Sequence, residues 1–131
     1  MKIYKERAQV IEILPVKRLE DIKPYFPDIR NWSDMYAFYA AAGHEVLCAA
    51  LYRVSGDTVD LVALADIAGA GDTLLDGMVR AVLASAQQQG CMTARCAAGV
   101  LPKQIEERLG FLSQGAWEQA DIPALFEKHC Q

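Results

Sequence analysis

The sequence predicts an α/β (α+β) fold, and three observations carry the prediction. Three strand-like runs, Met35 to Ala42, Glu45 to Val54 and Thr58 to Ala65, follow one another with only the turn signals Gly43-His44 and Ser55-Gly56-Asp57 between them. Beyond them Leu74, Leu75, Met78, Val79, Val82 and Leu83 recur at helical spacing. Between the last run and that helix stands Gly69-Ala70-Gly71-Asp72-Thr73-Leu74-Leu75, a glycine-rich turn where a strand passes into a helix.

The other elements follow from the same rules. Val10-Ile11-Glu12-Ile13-Leu14-Pro15-Val16 alternates well enough to be a first strand. Leu19, Ile22 and Tyr25-Phe26 then place an amphipathic helix from about Arg18 to Tyr25, ended by Pro24 and Pro27. Asp28 to Asp34 is a short irregular or helical link. The long helix covers about 16 residues and ends at Gln87-Gln88-Gln89-Gly90, a polar close with a glycine for the C-cap. Cys91 to Ala98 reads as a short strand, Pro102 to Leu109 as a helix begun by proline, and Gly110-Phe111 as the entry to a last strand. From Met35 onward the order is β-β-β-α-β-α-β.

Composition bounds the class. The chain has 131 residues, 53% hydrophobic and 23% charged, which suits one domain over residues 1–131 with a real core. Net charge is −4 and the basic residues are scattered, with Lys17-Arg18 the longest cluster, which argues against a nucleic-acid partner. No run of 18 apolar residues exists, and Met1 to Arg7 lacks the apolar core of a signal peptide, so a cytoplasmic protein with no membrane partner is expected. Cys48, Cys91, Cys96 and Cys130 form no Cys-x-x-Cys pair and stand far from His44 and His129, so no metal is expected. The thiols read as small core residues or incidental surface groups, with Cys96, in an interior strand, expected to be buried.

The glycine turn has the outline of a phosphate cradle. Two glycines let backbone approach a ligand closely, and the unpaired N–H groups of the first helical turn point outward at the positive end of the helix dipole. With this turn and the element order, the chain resembles the GNAT family of acyl-CoA-dependent N-acyltransferases, over roughly residues 10 to 120. In that family a Gly-x-Gly-x-x-Leu-Leu turn after the fourth strand holds the coenzyme A diphosphate. A second anchor is Glu107-Arg108-Leu109-Gly110-Phe111, similar to the Lys-Leu-Gly-Phe that closes the family's fourth helix. Residues 66–73 also resemble the Gly-Ala-Gly-Asp signature of ribokinase-like sugar kinases, whose fold needs a large sheet and lid ahead of the motif. Only 68 residues precede it here.

The GNAT resemblance implies a single domain with a mixed, mostly antiparallel sheet and helices on both faces. It implies acetyl-CoA or another acyl-CoA as co-substrate and acyl transfer to a primary amine of a small molecule or peptide, with a homodimer open as an assembly state. A second reading is a catalytically inactive module of the same fold, acting as an acyl-CoA sensor or a protein-interaction partner. By the resemblance, Gly69, Ala70, Gly71, Asp72 and Thr73 hold the diphosphate, and a backbone N–H around Leu64-Ala65 on a splayed strand holds the thioester carbonyl. Asp60 is a candidate base, directly or through water. The family's thiolate-protonating Tyr falls on Glu106, a carboxyl that donates a proton only if burial raises its pKa above about 4.3. The family's Asn after the fifth strand falls on Gly99, and its Arg or Gln three residues before the first glycine falls on Asp66. Asp66 and Asp72 therefore put two carboxylates where a diphosphate sits, which should weaken its binding. Tyr25, Phe26, Trp32, Tyr36 and Tyr39 are candidates for the acceptor wall.

Overall fold

Alternation in the strands gives the sheet two apolar faces, and each is covered by a different kind of structure. The computed structural model describes residues 10–115 and 117–129. Strands β1 (Ile11–Pro15), β2 (Tyr36–Ala42), β3 (Glu45–Ser55) and β4 (Thr58–Asp66) lead into helix α1 (Asp72–Gln88). Strand β5 (Thr93–Ala97), α2 (Lys103–Leu109), β6 (Leu112–Gln114), β7 (Trp117–Asp121) and α3 (Ile122–His129) follow. The seven strands form one sheet in the order β1-β2-β3-β4-β5-β7-β6. Only β4 and β5 are parallel, because α1 carries the chain back across the sheet between them.

Phe38, Ala40, Ala50, Val59, Leu61, Ala94 and Cys96 point to one face. Against it pack Leu75, Met78, Val79, Val82 and Leu83 of α1, Ile105 and Leu109 of α2, and Ile122 and Leu125 of α3. All three α-helices therefore share a face. On the other, Ala37, Ala49 and Leu51 are covered by Ile22, Phe26 and Met35 from the segment after β1. Cys48, Cys91 and Cys96 are all buried.

That segment differs from the expected helix over Arg18 to Tyr25. It forms two separate 3₁₀ turns, Leu19–Asp21 and Lys23–Tyr25. Pro24 supplies no N–H and disfavours the helical conformation at Lys23, so an α-helix cannot run through. Helices thus lie on both faces, but as α-helices on one and 3₁₀ turns on the other.

The C-terminal end is richer than a single last strand. Gly110 adopts φ +82° and closes α2, with the N–H of Phe111 donating to the Glu106 carbonyl at 2.8 Å and that of Gly110 to Glu107 at 3.3 Å. The chain then makes the β6–β7 hairpin, with β7 inserted between β5 and β6. Asp121 Oδ1 accepts from the Ala124 N–H at 3.3 Å and caps α3.

Candidate active-site cleft

Strands β4 and β5 start together and then separate. They are in register from Thr58↔Thr93 to Leu61↔Cys96, after which β4 runs on to Asp66 while β5 stops at Ala97. The β3–β4 register shifts at the same place, from Tyr52↔Leu61 to Leu51↔Ala63, leaving Val62 as a bulge. The opening therefore begins at Val62, and Leu64 and Ala65 lie within it. Past the bulge, Leu64 packs toward the α-helical face, and Ala63 and Ala65 toward the other. The uniformly apolar run from Leu61 to Ala65 hid this shift from the sequence.

At the mouth of the opening lies the glycine turn. Gly69 has φ +66° and Gly71 φ +92°, conformations that favour glycine, and a Cβ on either would meet nothing within 4 Å. Glycine is there for the path of the backbone, with open space beside it. Gly71 is the N-cap of α1 and offers no side-chain cap, so the first-turn N–H groups of Asp72, Thr73 and Leu74 have no intrahelical partner. The N–H groups of Ala70 and Gly71, just ahead of the helix, are met by a side chain from β4. Asp66 Oδ1 accepts from Ala70 at 2.8 Å and Oδ2 from Gly71 at 3.5 Å.

Glu106, on α2, lies near enough to Cys96 on the last β4–β5 rung to act on its thiol. Burial raises its pKa above the ordinary carboxylate value, and Glu118 on β7 adds to the rise. Cys96, on the last β4–β5 rung and cross-strand from Glu118, has its thiol pushed up to about 12 by burial and by both carboxylates. Ser113 Oγ donates to the Glu118 carboxylate, 3.0 Å from Oε2. Glu118 was missed in the sequence because nothing between Phe111 and Asp121 signalled which residue would face Cys96.

No family model matches the sequence, and no curated protein is similar to it in sequence. Similarity in structure is extensive. The ribosomal-protein-S18-alanine N-acetyltransferase of Escherichia coli matches with a TM-score of 0.70 at 13% identity, covering 86% of this chain and 94% of that one. A Desulfovibrio desulfuricans protein assigned to the GNAT family matches at 0.69 and 10% identity, over 86% and 99% of the two chains. The PaiA N-acetyltransferase of Thermoplasma acidophilum, in complex with coenzyme A, matches at 0.65 and 12%, also over 86% and 99%. This chain has the GNAT fold.

Within that fold the remaining candidate residues are placed unevenly. Asp60 is engaged by Arg95, its partner across the β4–β5 rung, which donates from Nε to Oδ1 and from Nη2 to Oδ2 at 3.3 Å. The guanidinium lies 4.2 Å over the Trp117 ring, so Asp60 is one end of a stack across three strands. Both carboxylate oxygens of Asp60 are thus engaged by the one guanidinium. Gly99, where the family carries Asn, has φ +91°.

The five aromatic residues do not form one wall. Phe26, Trp32 and Tyr39 belong to the 3₁₀ face, with the Phe26 and Trp32 rings edge to face at 6.4 Å. Phe26 is core, only 6% exposed, and Tyr25 is exposed on the same segment. Tyr36 is on the opposite face, stacked on Tyr52 at 5.7 Å. Residues three apart in a strand must point to opposite faces, which separates Tyr36 from Tyr39. Beside Tyr39 the 3₁₀ face holds a cavity of about 640 Å³, lined by Leu14, Val16, Ile22 and Val46 with Lys17 and Arg18 among its walls. Among the described residues no helix is long and apolar enough to cross a membrane.

Proposed function

We propose that this chain is an N-acyltransferase of the acetyltransferase kind, which takes an acyl-CoA thioester into the β4–β5 opening and passes the acyl group to a primary amine. The observation that carries the reading is the parting of β4 from β5 after Leu61↔Cys96, directly upstream of a glycine turn that opens α1. Backbone groups freed at the Val62 bulge suit the thioester carbonyl, and a helix N-terminus suits a phosphate. The amine nitrogen attacks the carbonyl carbon, the C–N bond forms as C–S breaks, and the thiolate takes a proton from Glu106. The raised pKa of Glu106 supports that role, since it keeps the proton available at higher pH. The amine releases its own proton to water, Asp60 being held by Arg95. Trp32 and Tyr39, with the cavity beside Tyr39, are the acceptor side in this reading.

The inactive-module reading has a specific observation in its favour. Asp66 already occupies two of the turn's N–H groups, and Asp60 is tied into an ion pair. One measurement orders the two. Acetyl-CoA at about 100 times its dissociation constant should stabilise the fold by about 2.7 kcal/mol, visible as a rise in Tm. A Tm that no acyl-CoA moves would remove both the enzyme and the sensor. A rise in Tm without turnover of any amine in a broad panel would leave the sensor.

A further inference from the structure

The glycine turn already holds an anion, and that anion belongs to the protein. Asp66 closes β4 and folds its carboxylate forward onto the N–H groups of Ala70 and Gly71, at 2.8 and 3.5 Å. Both donors lie in the stretch whose left-handed glycines, Gly69 and Gly71, border open space. Among the described residues no cation pairs with Asp66, so its charge is balanced by backbone donors and the positive end of α1. A bound phosphate is balanced in the same way at such turns.

We infer that Asp66 is a built-in competitor for the diphosphate of coenzyme A, so that the cleft takes a pantetheine arm about as well without the nucleotide diphosphate as with it. This rests on reading the β4–β5 opening as the thioester site. To admit the diphosphate, Asp66 must turn away, giving up both hydrogen bonds and leaving a second carboxylate, Asp72, in the first turn of α1. Like charges at contact distance repel, and because Asp66 is exposed the repulsion is screened by salt. A neutral pantetheine thioester carries no diphosphate to displace Asp66, and on this reading its arm would occupy the opening past Leu61↔Cys96 without needing the turn. The substrate class this favours is a thioester whose recognition depends on the pantetheine arm and the acyl group.

Calorimetry on the intact chain with coenzyme A and with pantetheine tests this, using the natural protein, Asp66→Ala and Asp66→Asn. In the natural protein the two dissociation constants should agree within about threefold. Asp66→Ala should tighten coenzyme A by about tenfold or more, as expected when a charge-assisted competitor is removed, and leave pantetheine unchanged. The gain should shrink as salt rises. Asp66→Asn keeps an acceptor for the turn while losing the charge, so it tests the electrostatic part in a protein whose loop remains capped. A natural protein that prefers coenzyme A to pantetheine by about tenfold or more, or variants that bind coenzyme A no better, would overturn the inference while leaving the thioester site in place. If none of the three proteins binds either compound, the reading of the cleft fails and the inference with it.

Discussion

The two halves of β4 carry the same side chain to different ends. From Thr58 to Leu61 the strand is paired on both sides, and Asp60 meets Arg95 directly across the parallel rung. From Ala63 to Asp66 only β3 remains in register, and Asp66 turns instead onto backbone N–H groups of the following loop. A strand with two neighbours has its side-chain partners chosen by register, so its charges become fastenings. A strand that has lost one neighbour leaves backbone donors without strand partners, to be met by water, by a ligand or by the protein itself. In the loop beyond it, the N–H groups of Ala70 and Gly71 are met by Asp66. The half of β4 that leads into the glycine turn is thus the half where pairing to β5 has stopped.

A third carboxylate gives the comparison its scale and the largest expected effect. Asp76 on α1 is buried and accepts from Arg80 Nε at 2.5 Å and from Arg108 Nη1 at 3.0 Å, which ties α1 to α2. Asp76→Ala removes the acceptor that both guanidiniums share, and should lower stability to denaturant by about 2 to 3 kcal/mol, Arg108 being half exposed. A loss below about 0.5 kcal/mol would mean that the bridge carries nothing that surface pairs do not. Asp60→Asn should cost less, about 1 kcal/mol or under, because both partners are partly in water. It should leave thioester affinity where it was. A variant with an unchanged melt and kcat down about 10²-fold would put Asp60 back as the base and erase the contrast between the halves of β4.

Most of the fold was readable because it rests on local period. Phe38 and Ala40 against Ala37 and Tyr39, or Leu75, Met78, Val79, Val82 and Leu83 on one stripe, are patterns that backbone geometry imposes on any sheet or helix. The glycine turn was readable for the same reason, since Gly69 and Gly71 stand where positive φ is required. What was missed depends on partners distant in sequence or on competition between short-range preferences. Pro24 turned an amphipathic stretch into two 3₁₀ turns without changing that Ile22 and Phe26 are buried. Strand β6 is exposed at all three residues, so no alternation announced the hairpin. In the site, Arg95 lies 35 residues from Asp60, and the Asp66 cap depends on the φ values of two glycines three and five residues on. Register and loop path are tertiary facts. They decided which carboxylate was fastened to a cation and which to backbone N–H groups.

The smallest expected effect tests Glu106 on α2, which among the described residues has no guanidinium partner. Burial, and then Glu118, raise its pKa above the ordinary 4.5, with Lys103 opposing and Glu107 adding to the rise. The folded protein therefore holds this proton more tightly than the unfolded chain does. Its contribution to stability is fully present below pH 4.5 and is lost as pH rises through the folded value. Glu106→Gln removes that loss, so the variant should melt above the natural protein at pH 7 to 8, and the two should converge as pH falls toward about 4.5. Melting curves recorded across this range check the sign. Parallel curves would mean that Glu106 is solvated like any surface carboxylate, and the acid would then have to be sought elsewhere. Convergence together with lost turnover in Glu106→Gln would instead mark the α2 wall as the chemically active side of the cleft, with the Asp66 wall governing which thioester enters.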